Sequence, residues 1–112
     1  MIFVFGPLWS GKRTVAKALL GCDDAEFARR AAWDVQELVH DEVDLEEFAN
    51  RLSAHDVVIA TEIGGGIVPI DAAERAMRER AGRLNCLLAA RADKVVRVFC
   101  GIGQVIKGGE NA

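Results

Sequence analysis

The segment "FGPLWSGKRTVAKALL", residues 5 to 20, spaces Gly6, Gly11 and Lys12 as G-x-x-x-x-G-K. That spacing suits phosphate, because glycines let backbone N–H groups turn inward around the oxygens and a lysine at the end of the loop reaches the terminal phosphates. The apolar run Ile2 to Phe5 before it reads as a short buried strand, and a helix is expected from about Lys12 to Leu20. The positive end of that helix would face the anion. Gly6, Pro7, Leu8, Trp9, Ser10, Gly11, Lys12, Arg13 and Thr14 are therefore the candidate nucleotide- or phosphate-binding residues.

Position 13 breaks the pattern. A Ser or Thr hydroxyl normally holds Mg²⁺ there, and this chain has Arg13. Arginine brings five donors and no lone pair, so it can clamp a phosphate and cannot ligate a cation. A solvated charge on the first helical turn is the competing reading. Thr14 does not simply substitute, since one further residue rotates a helical side chain by about 100°. The metal ligands, and the participation of Mg²⁺ itself, stay open at this level. The Ser10 hydroxyl either reaches a phosphate or satisfies a backbone group.

A second stretch, "ATEIGGGIVPI", follows the β-branched run Val57 to Thr61, which reads as a strand covered on both faces. Glu62 lies just past the carboxyl end of that strand, where α/β folds place their ligands. Gly64, Gly65 and Gly66 allow backbone to approach a ligand closely, and with Glu62 and Pro69 they form a candidate substrate loop; a plain connection is the alternative. Lys12 and Glu62 are the candidate catalytic pair.

The elements that must position these groups follow from periodicity. The first helix presents Val15, Ala18 and Leu19 inward and stops at Gly21. Asp23 with Glu26 caps a helix whose apolar positions run from Phe27 through Ala31 and Val35 to Val39, interrupted by Trp33 and Asp34. Asp44 with Glu47 caps a shorter helix bearing Leu45, Phe48, Ala49 and Leu52. Asp71 with Glu74 caps a long one with Ala73, Ala76, Met77, Leu84, Leu87 and Leu88 inward, and Lys94 to Phe99 closes as a strand. Strands alternating with helices predict an α/β fold, a small mostly parallel sheet flanked by helices. Residues 1–112 read as one domain with a loose tail from about 108. The edges of so small a sheet predict a homo-oligomer.

Composition narrows the setting. At 112 residues, 51 % hydrophobic and 28 % charged, the chain is globular, and its net charge of −3 offers no general attraction to nucleic acid or anionic membrane. No run approaches the roughly 18 apolar residues of a membrane span, and "MIFVFG" lacks a basic start, so a cytoplasmic protein is expected. Cys22, Cys86 and Cys100 show no metal or disulfide spacing and read as reduced core thiols.

"TEIGGGIVP" followed by "RERAGRLN", together with the loop "GPLWSGKR" and Trp33, resembles the adenosylcobinamide kinase/adenosylcobinamide-phosphate guanylyltransferase family. The resemblance implies a P-loop NTPase-like, three-layer fold of RecA/Rossmann type and a role in cobalamin biosynthesis. It implies GTP or ATP as nucleotide, a corrinoid (adenosylcobinamide) as the second small molecule, and phosphorylation of its aminopropanol arm before guanylyl transfer through a histidine. Three features depart from the pattern. The neighbourhood of the acceptor histidine reads "AEFARRAAW", with Arg29 kept and no histidine. The D-C-L-T-L-W strand end, with its acidic residue near Mg²⁺, is missing between the Asp44 helix and Val57. Arg13 is the third. The reading is a nucleoside-triphosphate-dependent adenosylcobinamide kinase without the guanylyltransferase histidine; the alternative is a catalytically lapsed nucleotide- or phosphate-binding regulatory or partner protein.

Overall fold

In the computed structural model, which describes residues 1–39, 43–62 and 71–109, strands Ile2–Gly6 (β1), Ala31–Ala32 (β2), Val57–Thr61 (β3), Lys94–Phe99 (β4) and Ile102–Lys107 (β5) form one sheet. Helices Lys12–Leu20 (α1), Asp24–Arg30 (α2), Leu45–Leu52 (α3) and Ala72–Arg91 (α4) cover it, with a 3₁₀ turn at Val35–Leu38. The strand order is β2-β3-β1-β4-β5, parallel except for β5. The α/β, P-loop NTPase-like expectation holds.

Strand β1 is central because its run is apolar on both faces. Phe3 lies level with Val58 and Val95, and these side chains join Leu84, Leu88, Leu52 and Ala49 in a core under α3 and α4. Val4, one residue on, points to the other face and packs with Ile59, Val96, Ala16 and Phe27 under α1 and α2. Two cores on the two faces of a sheet give the three layers.

The helix signals act locally as their chemistry requires. Asp23 accepts from the Glu26 N–H, Asp44 from those of Glu46 and Glu47, and Asp71 from that of Ala73. Gly21, at φ 64°, closes α1 with its N–H on the Lys17 and Ala18 carbonyls. Ala16 is the fully buried residue of α1, whereas Ala18 is exposed. In α4, Ala81, Leu84 and Leu88 are buried while Ala73 and Ala76 are exposed. A 20-residue helix is about 30 Å long and the five-residue strands beneath it about 17 Å, so the first turns of α4 outrun the sheet.

Two strands escape the sequence reading. The helix expected to extend toward Val39 stops at Arg30, because Ala31 and Ala32 pair with Val57 and Val58 at the sheet edge. The Arg30 carbonyl takes the Asp56 N–H at 2.9 Å, and its guanidinium holds the Asp56 carboxylate at 2.6 Å. Strand β5 returns along β4 through Cys100 and Gly101, at φ 52° and 77°, a two-residue hairpin whose central residues both take positive φ. Half-buried Cys22 packs against the core under α1 and α2, whereas Cys86 on α4 and Cys100 at the hairpin tip are exposed, so the core reading of those two cysteines is corrected.

Phe3 is 1 % exposed and stacks on Phe5 at 5.6 Å, whereas Phe99 at the sheet's far end is 53 % exposed. Phe3→Ala should cost about 3–5 kcal/mol in urea unfolding, and Phe99→Ala less than about 1 kcal/mol. Equal losses would contradict this placement of the core.

Candidate functional site

The loop leaves β1 at Gly6 under tight constraint. A Cβ on Gly6 would sit 2.3 Å from the Val98 carbonyl oxygen of β4, so only glycine lets the strands stay paired there. The Gly6 carbonyl accepts the Glu62 N–H at 2.8 Å, tying the end of β3 to the start of the loop. Farther along, the Ser10 carbonyl accepts the Gly101 N–H at 2.7 Å, so the β4–β5 hairpin tip braces the loop from the other side. Trp9 at φ 62° and Gly11 at φ 88° turn the chain around, and no side chain caps the amino end of α1.

Inside that turn Lys12, 9 % exposed, folds back so that its Nζ donates to the Pro7 carbonyl at 2.8 Å. The Ser10 hydroxyl is buried without a hydrogen-bond partner. A buried hydroxyl left unpaired beside uncapped helix N–H groups is costly unless an acceptor fills the space. A cavity of about 420 Å³ adjoins these groups, lined by the loop from Leu8 to Thr14 and by Asp34, Ile59 and Thr61. Burial pushes the Lys12 ammonium below its ordinary value, and the charges of Asp34 and Glu62 oppose that shift.

Both carboxylates have partners. Glu62 is on the α4 face of the sheet, and Arg97 of β4 grips it with two hydrogen bonds, Nε to Oε1 at 2.6 Å and a terminal nitrogen to Oε2 at 3.1 Å. The bond and charge of Glu62 raise the Arg97 pKa still further. Asp34, at φ 56° just after Trp33, lies 3.6 Å from the Arg13 guanidinium. Arg13 turns sideways out of the loop, 4.9 Å above the Trp33 ring.

Gln36 accepts the Thr61 N–H at 3.0 Å and fixes this segment against the end of β3. Lys12, Glu62, Ser10, Gly11, Arg13 and Thr14 thus converge at the carboxyl end of the sheet. Gly64, Gly65, Gly66 and Pro69 lie outside the described residues, as does His40. His55 precedes β3 and bonds the Leu52 carbonyl, at the opposite end of that strand.

Asp34 and Arg97 were missed from sequence. A charged residue inside the apolar run of β4, and an aspartate interrupting the apolar spacing after Trp33, were the signals the sequence held. Among the described residues, those around the loop do not make the Mg²⁺ site of the motif. Arginine occupies the hydroxyl position, Asp34 faces a guanidinium and both oxygens of Glu62 are engaged. Among the described residues no group of three or more His, Cys, Asp or Glu side chains clusters to hold a metal, and no helix is long and apolar enough to cross a membrane.

The sequence profile of the cobinamide kinase / cobinamide phosphate guanyltransferase family matches residues 25–106, a range that begins after the loop and α1. The bifunctional adenosylcobalamin biosynthesis protein of Salmonella typhimurium is 41 % identical over 91 residues, which is 80 % of this chain and 49 % of that protein. The protein of the same description from Escherichia coli is 46 % identical over 57 residues, 51 % of this chain and 32 % of that one. The chain spans at most about half the length of the curated relatives it matches.

A lysine whose pKa is lower folded than unfolded binds fewer protons when folded, so stability rises with pH through that window and the buried charge is a penalty below it. Without ligand, Lys12→Met should be at least as stable as the parent at pH 7 in urea unfolding. The parent should gain on the variant as pH approaches 10.5, the ordinary lysine value. A variant less stable than the parent at pH 7 would show that the Pro7 hydrogen bond outweighs the burial.

Proposed function

The chain belongs to the cobinamide kinase / cobinamide phosphate guanyltransferase family, and we propose that it is a nucleotide-binding protein of cobalamin biosynthesis that acts as a nucleoside-triphosphate-dependent adenosylcobinamide kinase. The observation that carries the reading is the cradle itself: the buried, unpartnered Ser10 hydroxyl, the inward-folded Lys12 and the uncapped start of α1 around one cavity. All three are hydrogen-bond donors within one loop, which suits the terminal phosphates of GTP or ATP.

Phosphoryl transfer asks a protein chiefly for positioning and for stabilisation of charge on the transferring group. In this reading Lys12 releases Pro7 and moves onto the β- and γ-phosphates. The acceptor hydroxyl, the aminopropanol hydroxyl of the corrinoid, lies against Glu62. A carboxylate has about four lone-pair sites, so Glu62 still accepts that hydroxyl while Arg97 fixes its plane. The hydroxyl oxygen bonds to phosphorus as the bridging bond to the nucleoside diphosphate breaks, and its proton passes toward Glu62. Guanylyl transfer has no place in the reading, since the family's acceptor histidine has no counterpart and His55 stands at the far end of β3. The open edge of β5, with Ile102 71 % and Ile106 55 % exposed, supports association between copies.

The grip of Arg97 favours a second reading, a protein that binds nucleotide without turning it over, because both oxygens of Glu62 are already hydrogen-bonded. Transfer of label from γ-labelled GTP or ATP to adenosylcobinamide separates the two.

Lys12→Ala should weaken GTP or ATP binding at least tenfold in a titration, about 1.4 kcal/mol, under either reading. Unchanged affinity would remove the cradle from both. With α-labelled GTP, no label should remain on the denatured protein; retained label would restore a guanylylated intermediate.

A further inference from the structure

Beside the phosphate cradle lies a second cavity, of about 350 Å³, which shares Arg13 and Thr14 with it. Its floor is the half-buried indole of Trp33. That ring is stacked on Phe27, with centroids 5.9 Å apart and planes 8° from parallel, and Phe27, which also lines the cavity, is itself 7 % exposed. Lys17 and Asp24, bonded to each other, stand at the wall. The guanidinium of Arg13 lies over the Trp33 ring, 4.9 Å from its centroid.

That cover is loosely held. The Arg13 side chain is 61 % exposed and its ion pair with Asp34, itself 46 % exposed, is 3.6 Å long, a separation at which such pairs contribute little. An exposed cation over an aromatic face adds a similarly small attraction. The indole, in contrast, is stacked on a buried phenylalanine. A rigid aromatic face under a displaceable planar cation, one helical turn from a phosphate cradle, is suited to a flat aromatic ligand that carries phosphate.

We propose that this cavity is a nucleobase subsite. The base of the bound nucleoside triphosphate stacks on the Trp33 face that Arg13 covers in the empty protein, and the displaced guanidinium turns toward the phosphates. Lys17 as donor and Asp24 as acceptor meet the polar edge of the base. This rests on the reading that residues 6–14 hold the phosphates of that nucleotide. It gives Arg13 a role that the hydroxyl usual at its position could not fill, as a plug for the empty base site and a countercharge for the filled one.

The test compares GTP and ATP with inorganic tripolyphosphate, which occupies the cradle and has no base. Trp33→Leu, which keeps apolar volume, should weaken the better-bound nucleotide about tenfold or more by calorimetry and leave tripolyphosphate within about twofold. Trp33→Phe should keep most of the nucleotide affinity. Equal losses for nucleotide and tripolyphosphate, or none for either, would overturn the subsite. A parent protein that binds neither would instead sink the phosphate reading, and the subsite with it. Intermolecular NOEs in the unmutated protein decide the matter should Trp33→Leu fail to fold: base protons should contact the Trp33 ring, and contacts to other side chains without Trp33 would refute the placement.

Discussion

Strand β1 is hydrogen-bonded on both sides, and that leaves its carboxyl end only one way out. With β3 on one flank and β4 on the other, the chain beyond Phe5 must rise out of the sheet between two neighbours that keep their own pairing. Gly6 is the residue at which this happens, and the 2.3 Å separation between a hypothetical Cβ and the Val98 carbonyl measures how little room there is. Both neighbours then reach over the loop, β3 through the Glu62 N–H and the β4–β5 hairpin through the Gly101 N–H. The curvature of the cradle is imposed by the sheet beneath it as much as by its own glycines. A loop held at both ends keeps its N–H groups converged without a ligand, which lowers the ordering cost of binding one.

The electrostatics of the site follow from the same crowding. Among the described residues, Lys12, Arg13 and Arg97 meet Asp34 and Glu62 around the end of one strand, three cations against two carboxylates. Neither carboxylate presents a bare charge to an incoming phosphate, because each is matched by an arginine. Among the described residues of this cluster Lys12 is the buried cation, and its Nζ bonds the Pro7 carbonyl rather than a carboxylate. Arg97 holds Glu62 on the α4 side of the sheet's carboxyl end, near enough for its charge to act on Lys12.

What could be read from the sequence depended on how local the cause was. The caps at Asp23, Asp44 and Asp71 and the stop at Gly21 each act through bonds within a few residues, and the spacing alone reports them. Strand β2 could not be read this way. Ala31 and Ala32 continue an apolar helical spacing, and only the open edge of β3, distant in sequence, draws them into extended conformation. Strand β5 carries Ile102, Val105 and Ile106 without regular alternation, split by Gly103 and Gln104, so its identity comes from pairing with β4. The partners of Glu62 and Arg13 were hidden for the same reason. Arg97 is 35 residues from Glu62, and Asp34 meets Arg13 only because α2 ends early and delivers Trp33 and Asp34 to the flank of α1.

That early ending links the edge of the sheet to the chemistry of the loop. Had α2 run on to Val39, Trp33 would have travelled around a helix, and its ring would not lie parallel to Phe27 beneath Arg13. Capture of Ala31 and Ala32 by β3 fixes the direction in which residue 33 leaves the sheet. The left-handed turn at Asp34 then sends its carboxylate toward α1, and Gln36 anchors the following turn to Thr61. The arginine at position 13 and the two-residue strand are therefore parts of one arrangement. A serine or threonine there would be too short to reach the indole, and an arginine without Trp33 and Asp34 would have no seat outside the loop. The edge strand thereby holds Trp33 and Asp34 beside the loop from Gly6 to Thr14, on the same face of the sheet as α1.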